Sequence, residues 1–531
     1  VVTASEGKPF LTLQNVSVRL RDRVVIQDAT WQIRDNQQWA IMGPNGSGKT
    51  TLVRSLWGGA PLRSGTILYD FAGGPSLADP SSFRGSIGYV SFETHQTLLE
   101  QEEREEDYRA YAGQSGPGTT AREVIRSGLR GTRRLTAADE EYLLQIARLL
   151  EIEDLLDRAV TSLSSGEVRK SLIARALMKS PRLLILDEPF DGLDEKSREL
   201  LEASINHLVA SPVRLILVVH RIEEIVPGIT HVLFLKEGRI FRQGRKEEML
   251  TSLHISELYG YPLRVAKNHF HYSIVAPPAL SKEGKDLPLP PGPEIQELPE
   301  IFIEMVDTTV RYGEQVILDH LNWTWKRGEN WAILGPNGSG KSTIVRLIVG
   351  EQLQSYANSI SLLGRPKGSG ETLWEIRKFI GMVSSEFQLQ YRKKIRADEV
   401  IASGFFDSIG LYHGLHAEQK ELVEKWISFM GLEPIARKSF AELSYGQKRL
   451  ILLARAMVKR PRLLILDEPC HGLDIPNRQR ILEIIERIGR THTHILYITH
   501  QLEEIPDCIT HILKLDQGRG VAQGPRQQFI H

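Results

Sequence analysis

The sequence predicts an α/β fold built twice in one chain, and three observations predict it. GPNGSGKT at Gly43 to Thr50 returns as GPNGSGKS at Gly335 to Ser342, with 292 positions between Lys49 and Lys341. Each copy sits between a strand-sized apolar run and helix-like text, the order strand, glycine loop, helix. LLILDEP at Leu183 to Pro189 returns at Leu463 to Pro469 with an offset of 280, so the repeats differ by 12 residues between the two motifs.

The elements follow in order. FLTLQNVSVRL at Phe10 to Leu20 alternates like a half-buried strand, and TWQI at Thr30 to Ile33 is a second strand. QWAIM at Gln38 to Met42 is a buried strand leading into the glycine loop, and Thr50 to Leu56 is helical. Between Leu98 and Leu163 the text becomes helical and charged: an acidic run at Gln101 to Tyr111, a Gly-rich break at Ala112 to Thr120, and a basic run at Arg122 to Arg134. A helix from Ala138 to Leu150 then carries Leu143, Ile146, Leu149 and Leu150 on one face. This is an inserted helical subdomain, with a counterpart at Val400 to Phe440 preceded by the basic run YRKKIR at Tyr391 to Arg396.

Leu233 to Gly244 reads as a terminal hairpin and Glu247 to Gly260 as a short helix. Pro277 to Pro299 is rich in proline and charge, an extended, semi-rigid tether. The second repeat restarts at Ile301 to Tyr312. The expected domains are therefore residues 1–262, a Pro-rich linker at 263–299, and residues 300–531.

A length of 531 residues suits two domains of about 240 residues and a connector. Hydrophobic content of 41% and charged content of 25% describe a soluble globular chain. Lys plus Arg and Asp plus Glu are both 66, so net charge supplies no general attraction to nucleic acid or anionic lipid. Apolar runs such as LILVVH at Leu215 to His220 fall well short of the roughly 20 residues a membrane span needs. Cys470 and Cys508 form no metal-binding spacing or disulfide framework, which suits a reducing compartment. The expected location is cytoplasmic, or the mitochondrial matrix if a targeting segment has been removed ahead of Val1.

Both glycine runs match G-x-x-x-x-G-K-[ST] in full. In this pattern the loop backbone curls so that N–H groups point at phosphate oxygens, with the following helix N-terminus behind them. Gly43, Asn45, Gly46, Ser47 and Gly48, and likewise Gly335, Asn337, Gly338, Ser339 and Gly340, should cradle the phosphates of ATP, with Thr51 and Thr343 next along the helix. Lys49 and Lys341 should neutralise the β and γ phosphates, and Thr50 and Ser342 should offer hydroxyls to Mg²⁺. Asp187 and Asp467, at the ends of apolar strands, can hold Mg²⁺ through water, while Glu188 and Glu468 can polarise the attacking water. His220 and His500 also end strands, where a side chain reaches the γ-phosphate and the water.

With LSSGE at Leu163 to Glu167 and LSYGQ at Leu443 to Gln447, each 20 residues before its acidic motif, the chain resembles a tandem ATP-binding cassette (ABC) ATPase. The resemblance implies two P-loop ABC nucleotide-binding domains, each an α/β core with an antiparallel β subdomain and a helical subdomain, packed head to tail. It also implies that Ser444 and Gly446 complete the site of Lys49, and Ser164 and Gly166 that of Lys341, within a monomer that forms an intramolecular cassette dimer. Asp194 in DGLD and Asp474 in HGLD match the loop that crosses this interface in the family.

Some positions depart from the family pattern. Tyr312 matches the aromatic that stacks on adenine, but Leu20 stands at that place in the first repeat. Phe92 and Ser385 replace the usual glutamine after IGYVS and IGMVS, leaving Glu93, Gln96, Glu386 and Gln388 as nearby substitutes. Glu167 replaces the signature glutamine in the first repeat alone.

GSGETLWEIRKFIG, GFFDSIG and CITHIL make the chain most similar to the ModF or photorepair type within the family, which lacks membrane domains. The implied activity is ATP hydrolysis to ADP, driving closure and opening that remodel an unknown macromolecular partner. The alternatives are an ATPase subunit of a transporter, molybdate-type among them, whose membrane protein is a separate chain, and a ribosome-associated or nucleotide-gated scaffold. Arg122, Arg126, Arg130, Arg133 and Arg134 could contact RNA, but a solvated helix face answering the acidic run is the favoured reading.

Overall fold

The computed structural model describes residues 7–21, 23–72, 80–111, 118–129, 136–268, 271–275, 299–313, 315–370, 372–384 and 395–529. The chain divides into two compact units, Val1–Pro278 and Ala279–His531.

In the first unit, β1 (Pro9–Leu20) and β2 (Arg23–Arg34) form a long antiparallel hairpin. β2 is longer than the expected Thr30 to Ile33, because RVVIQDATWQIR keeps alternating through its charged positions, whose side chains face outward. The hairpin meets a short α1 (Lys49–Ser55) and pairs with β4 (Leu62–Tyr69), giving the three-stranded order β2-β1-β4. The core sheet collects β3 (Trp39–Met42), β5 (Ile87–Ser91), β6 (Leu183–Asp187), β7 (Arg214–Val218), β8 (His231–Lys236) and β9 (Arg239–Arg245), in the order β5-β6-β7-β3-β8-β9. Its first five strands run parallel and β9 antiparallel. LLILD is buried throughout, as a parallel strand covered on both faces requires.

The helical insertion comprises α2 (Phe92–Tyr111), α3 (Ala121–Arg126) and α4 (Ala137–Leu149), followed by α5 (Ser165–Leu177) and α6 (Glu195–Val209) in the core. Leu143, Ile146 and Leu150 are buried, whereas Leu149 is 37% exposed, because α4 ends there and its side chain turns off the packed face. Arg122 donates to Asp157 Oδ1 at 2.9 Å and to Glu140, and Arg126 donates to Glu140 Oε2 at 2.8 Å. These cations answer carboxylates of the neighbouring helical elements. The break at 112–117 and Arg130, Arg133 and Arg134 lie outside the described residues.

After α7 (Lys246–Met249) and α8 (Ser252–Tyr259) comes a correction to the expected linker. β10 (Arg264–Asn268) pairs antiparallel with β11 (His271–Val275), with Tyr272 buried and the Ile274 N–H donating to Glu223 Oε1 at 2.9 Å. Five residues a side with one buried aromatic hide among charged neighbours, so the strand pattern is faint. The Pro-rich stretch itself lies outside the described residues.

The second unit repeats the plan. β12 (Ile301–Tyr312), β13 (Gln315–Lys326), β15 (Ser359–Leu362) and β16 (Arg365–Pro366) make a four-stranded sheet ordered β13-β12-β15-β16. β14 (Trp331–Leu334), β17 (Ile380–Val383), β18 (Leu463–Asp467), β19 (His494–Thr499), β20 (His511–Asp516) and β21 (Arg519–Pro525) give the core order β17-β18-β19-β14-β20-β21. Its helices are α9 (Lys341–Val349), α10 (Leu373–Phe379), α11 (Ala397–Ala402), α12 (Ala417–Phe429), α13 (Tyr445–Met457) and α14 (Ile475–Gly489). Residues 391–394 of the basic run, with Ser385, Glu386 and Gln388, lie outside the described residues. Among the described residues, no helix is long and apolar enough to cross a membrane.

Candidate functional site

Parallel strands put their C-terminal ends on one edge of a sheet, so the loops after β3, β6 and β7 open on the same side. This register gathers the glycine loop, Asp187, Glu188 and His220 in the first unit. The loops after β14, β18 and β19 gather their counterparts in the second.

The glycine loops have the backbone shape that phosphate binding requires. Gly46 and Gly48 sit at φ 78° and 101°, and Gly338 and Gly340 at 77° and 98°, the left-handed region that glycine enters without penalty. A Cβ at Gly43 would meet the Leu235 carbonyl oxygen at 2.0 Å, and one at Gly335 the Leu515 oxygen at 2.5 Å. Lys49 Nζ donates to the Gly43 and Pro44 carbonyls at 2.8 and 3.3 Å, and Lys341 Nζ to those of Gly335 and Pro336 at 2.8 and 2.7 Å. Ser47 Oγ and Ser339 Oγ are buried with no partner among the described residues, beside the N-termini of α1 and α9. An anion at that point would satisfy both the hydroxyl and the loop N–H groups, so the residues fit a nucleotide phosphate. Asn45 and Asn337 lie within the loops, Thr51 is buried in α1, and Thr343 is half-buried in α9.

Thr50 Oγ1 donates to Asp187 Oδ1 at 3.3 Å, and Tyr89 OH donates to Asp187 Oδ2 at 2.8 Å. Burial, then the charge of Glu188, push the Asp187 carboxyl up to about 6, against the pull of these two bonds. In the second unit Asp467 is half-buried and Ser342 exposed at the equivalent places. A hydroxyl and a carboxylate are hard oxygen donors that suit Mg²⁺. Among the described residues no group of three or more His, Cys, Asp or Glu could hold a metal ion.

Glu188 and Glu468 occupy the left-handed region at φ 57° and 46°, strain for a non-glycine residue of the kind that collects at functional sites. Each N–H is tied down, to the Val218 and Ile498 carbonyls, at 3.0 Å. His220 Nε2 lies 2.7 Å from Glu188 Oε1, and His500 Nδ1 lies 3.1 Å from Glu468 Oε1. Burial pushes the Glu468 carboxyl up, but the bond and charge of His500 outweigh it and bring it down to about 2. Glu188 is likewise lowered, His220 overcoming burial. His220 is raised, since Glu188 outweighs both burial and Lys49. The His220 N–H also donates to Glu224 Oε2 at 3.1 Å, fixing the turn after β7.

Ser164 and Ser444 are the N-caps of α5 and α13, each accepting from the N–H three residues on at 3.3 Å. Glu167 and Gln447 close the same capping box by accepting from the serine N–H, at 2.7 and 3.0 Å. Gly166 and Gly446 permit close packing, for a Cβ would meet Ser197 Cβ at 3.0 Å and Asn477 Cγ at 2.5 Å. Asp194 and Asp474 cap the helices bearing those neighbours, α6 and α14.

Leu20 and Tyr312 end β1 and β12, 41% and 50% exposed, and Tyr312 OH accepts from Gln352 Nε2 at 2.6 Å. Ala60 stands where Gln352 would be in the first repeat, so that support is missing.

At the usual glutamine position, Phe92 lies over the Arg169 guanidinium, 5.3 Å from carbon to ring centroid. Glu93 pairs with Arg54, and Gln96 is exposed. Tyr89, Arg54 and Arg169 are site neighbours that sequence reasoning missed. Sequence offers little to find them, since Arg169 is one of four charged residues in α5, with Glu167, Lys170 and Arg175.

The ABC transporter family profile matches residues 26–191 and 318–471. ABC transporter ATP-binding protein ModF of Escherichia coli is 38% identical over 502 residues, 93% of this chain and 94% of its own length. An uncharacterized ABC transporter ATP-binding protein of Schizosaccharomyces pombe is 28% identical over 93% of this chain and 95% of its own. A putative ABC transporter ATP-binding protein of Streptococcus mutans is 35% identical over 43% of this chain and 88% of its own.

Proposed function

The chain belongs to the ABC transporter family and is an ATP-hydrolysing enzyme with two tandem cassettes, and from that premise we propose that it hydrolyses ATP at two composite sites to remodel a macromolecular partner. The observation that carries this reading is the duplicated carboxylate and imidazole pair, Glu188 with His220 and Glu468 with His500, on the strand edge that bears the glycine loop.

Within each cassette the glycine loop and its lysine orient the phosphates. Glu188 or Glu468, ionised and held by its histidine, accepts a proton from the attacking water. His220 or His500 orients that carboxylate and would reach the γ-phosphate. Mg²⁺, held by Thr50 and Asp187 or by Ser342 and Asp467, would supply charge neutralisation at the β and γ phosphates. Ser444 and Gly446 would close on the nucleotide of Lys49, and Ser164 and Gly166 on that of Lys341, because an uncrowded helix N-terminus attracts an anion. ATP then favours closure and hydrolysis favours opening.

A transporter subunit is the second reading. A cleft of about 380 Å³ beside α2, lined by Arg54, Trp57, Tyr89, Glu93, Thr94 and Arg175 among others, could receive a segment of a separate membrane chain. The two readings separate in a pull-down with the Glu188→Gln, Glu468→Gln variant, which keeps the site's shape while weakening base assistance. Ribonucleoprotein or another large soluble assembly captured only with ATP supports remodelling. A single integral-membrane protein supports transport, and equal recovery with and without ATP sinks both.

A further inference from the structure

Phe92 begins α2, the first helix of the helical subdomain, at the position where the family pattern has glutamine. Its first turn nevertheless reaches both acids at the end of β6. On one side, the fully buried Arg169 donates through Nε to His95 Nδ1 at 3.1 Å and lies over the Phe92 ring. The same guanidinium donates to the backbone oxygens of Glu188, Pro189 and Asp191 at 3.1, 3.0 and 3.1 Å. On the other side, Glu93 pairs with Arg54, Arg54 Nε donates to Tyr89 OH at 3.3 Å, and Tyr89 OH donates to Asp187.

We propose that Arg169 and Tyr89 are positioning residues of the first cassette: Arg169, braced by Phe92 and His95, holds the backbone of Glu188, and Tyr89, braced by Arg54, holds the Asp187 carboxylate. The proposal rests on the reading of Glu188 as base and Asp187 as metal carboxylate. A guanidinium is rigid and planar, so Phe92, His95 and the Glu188 backbone cannot shift independently of it without breaking buried, charge-assisted hydrogen bonds. His95 is buried, and its Nε2 has no partner among the described residues, so the ring has no competing anchor. Burial and the charge of Arg169 lower its pKa to about 4, which keeps Nδ1 an acceptor at neutral pH.

The second cassette differs at the place of Tyr89. Met382 stands at the place of Tyr89, so no phenol can reach Asp467 from β17. Arg449, matching Arg169, donates to the Glu468 carbonyl at 3.1 Å and lies over Tyr445 of its own helix. Arg169 and Tyr89 are therefore positioning residues of the first cassette.

The test uses the full chain carrying Glu468→Gln, so that the first cassette supplies the turnover. Arg169→Lys keeps the charge and loses the fork, and should lower kcat about tenfold with KM for ATP unchanged. His95→Ala should do the same and His95→Gln, which restores an acceptor, should recover it. Tyr89→Met uses the side chain the second cassette has in that place. It should weaken Mn²⁺ binding at one of the two sites severalfold, measured by electron paramagnetic resonance with a non-hydrolysable ATP analogue. A fall in melting temperature with kcat unchanged, no rescue by His95→Gln, or Mn²⁺ binding unaltered in Tyr89→Met would each overturn the proposal. Glu188→Gln in the same background probes the premise alone, since turnover that survives it removes the base assignment itself.

Discussion

The two cassettes share a skeleton and differ in what braces it. Sheet order, glycine-loop dihedrals, the strained glutamate and the serine capping box recur in both. The residues behind them diverge: Tyr89 donates to Asp187 where Met382 stands in the second cassette, and Gln352 supports Tyr312 where Ala60 and Leu20 stand in the first. Glu188 meets its histidine through Nε2, and Glu468 through Nδ1. The glycine loops, strand-end acids and histidines are thus duplicated, while their supports differ. Asymmetry between the sites should appear in affinity, metal handling and pH response before it appears in whether either can hydrolyse ATP.

The largest expected effect would break the view that both sites turn over. Glu188→Gln and Glu468→Gln, made singly, should each remove the share of ATPase activity that belongs to its own cassette, and together they should cut steady-state turnover by about 10²-fold or more. A loss confined to one variant would assign turnover to that cassette.

The next effect concerns stability against pH, where Asp187 and Glu468 have opposite signs. Asp187, raised to about 6 in the folded chain, binds a proton that the unfolded chain releases near 3.8, so nucleotide-free stability falls as pH rises through that window. Asp187→Asn should therefore stabilise the first cassette by about 3 kcal/mol at pH 7, with no gain below pH 4. Glu468, lowered to about 2 from 4.5, contributes stability that is present above pH 4.5 and lost as pH falls toward 2. Urea unfolding across pH 2 to 7, with and without Asp187→Asn and Glu468→Gln, checks both signs, and the same sign for the two acids would refute the comparison.

Smaller again is the adenine contact. The second site should bind ATP more tightly than the first by about 1 kcal/mol, and Tyr312→Leu should erase the difference. Binding measured separately in Lys49→Ala and Lys341→Ala proteins decides this, and equal affinities would remove the aromatic from the argument. The smallest effect belongs to Glu167→Gln. Glu167 and Gln447 close the same box at nearly the same distance, so melting should shift by no more than about 0.5 kcal/mol equivalent. A larger change would show that the extra charge at this helix start matters.

Much of the site was legible because its residues lie in short contiguous runs. Lys49 follows five loop residues whose glycines need positive φ, and Asp187 ends a run so apolar that it must be a buried strand. Arg169 and Tyr89 were not legible. Each is an ordinary residue in a helix or strand until the chain brings it beside Glu188 or Asp187 from another element. The pair of β10 and β11 was missed for a related reason, since its pairing is local but its burial depends on Tyr272 and Glu223 meeting across the fold.

By itself, the sequence determined the duplication, the α/β class, the glycine loops and the acids and histidines at strand ends, because local backbone demands and apolar periodicity are written in adjacent residues. Only the tertiary structure decided how those groups are held: which ring nitrogen faces each glutamate, that both glutamates are strained, and that one turn of α2 reaches both acids of the first cassette. Those features depend on contacts between residues tens of positions apart, where packing and hydrogen bonding in three dimensions, not neighbour order, set the geometry.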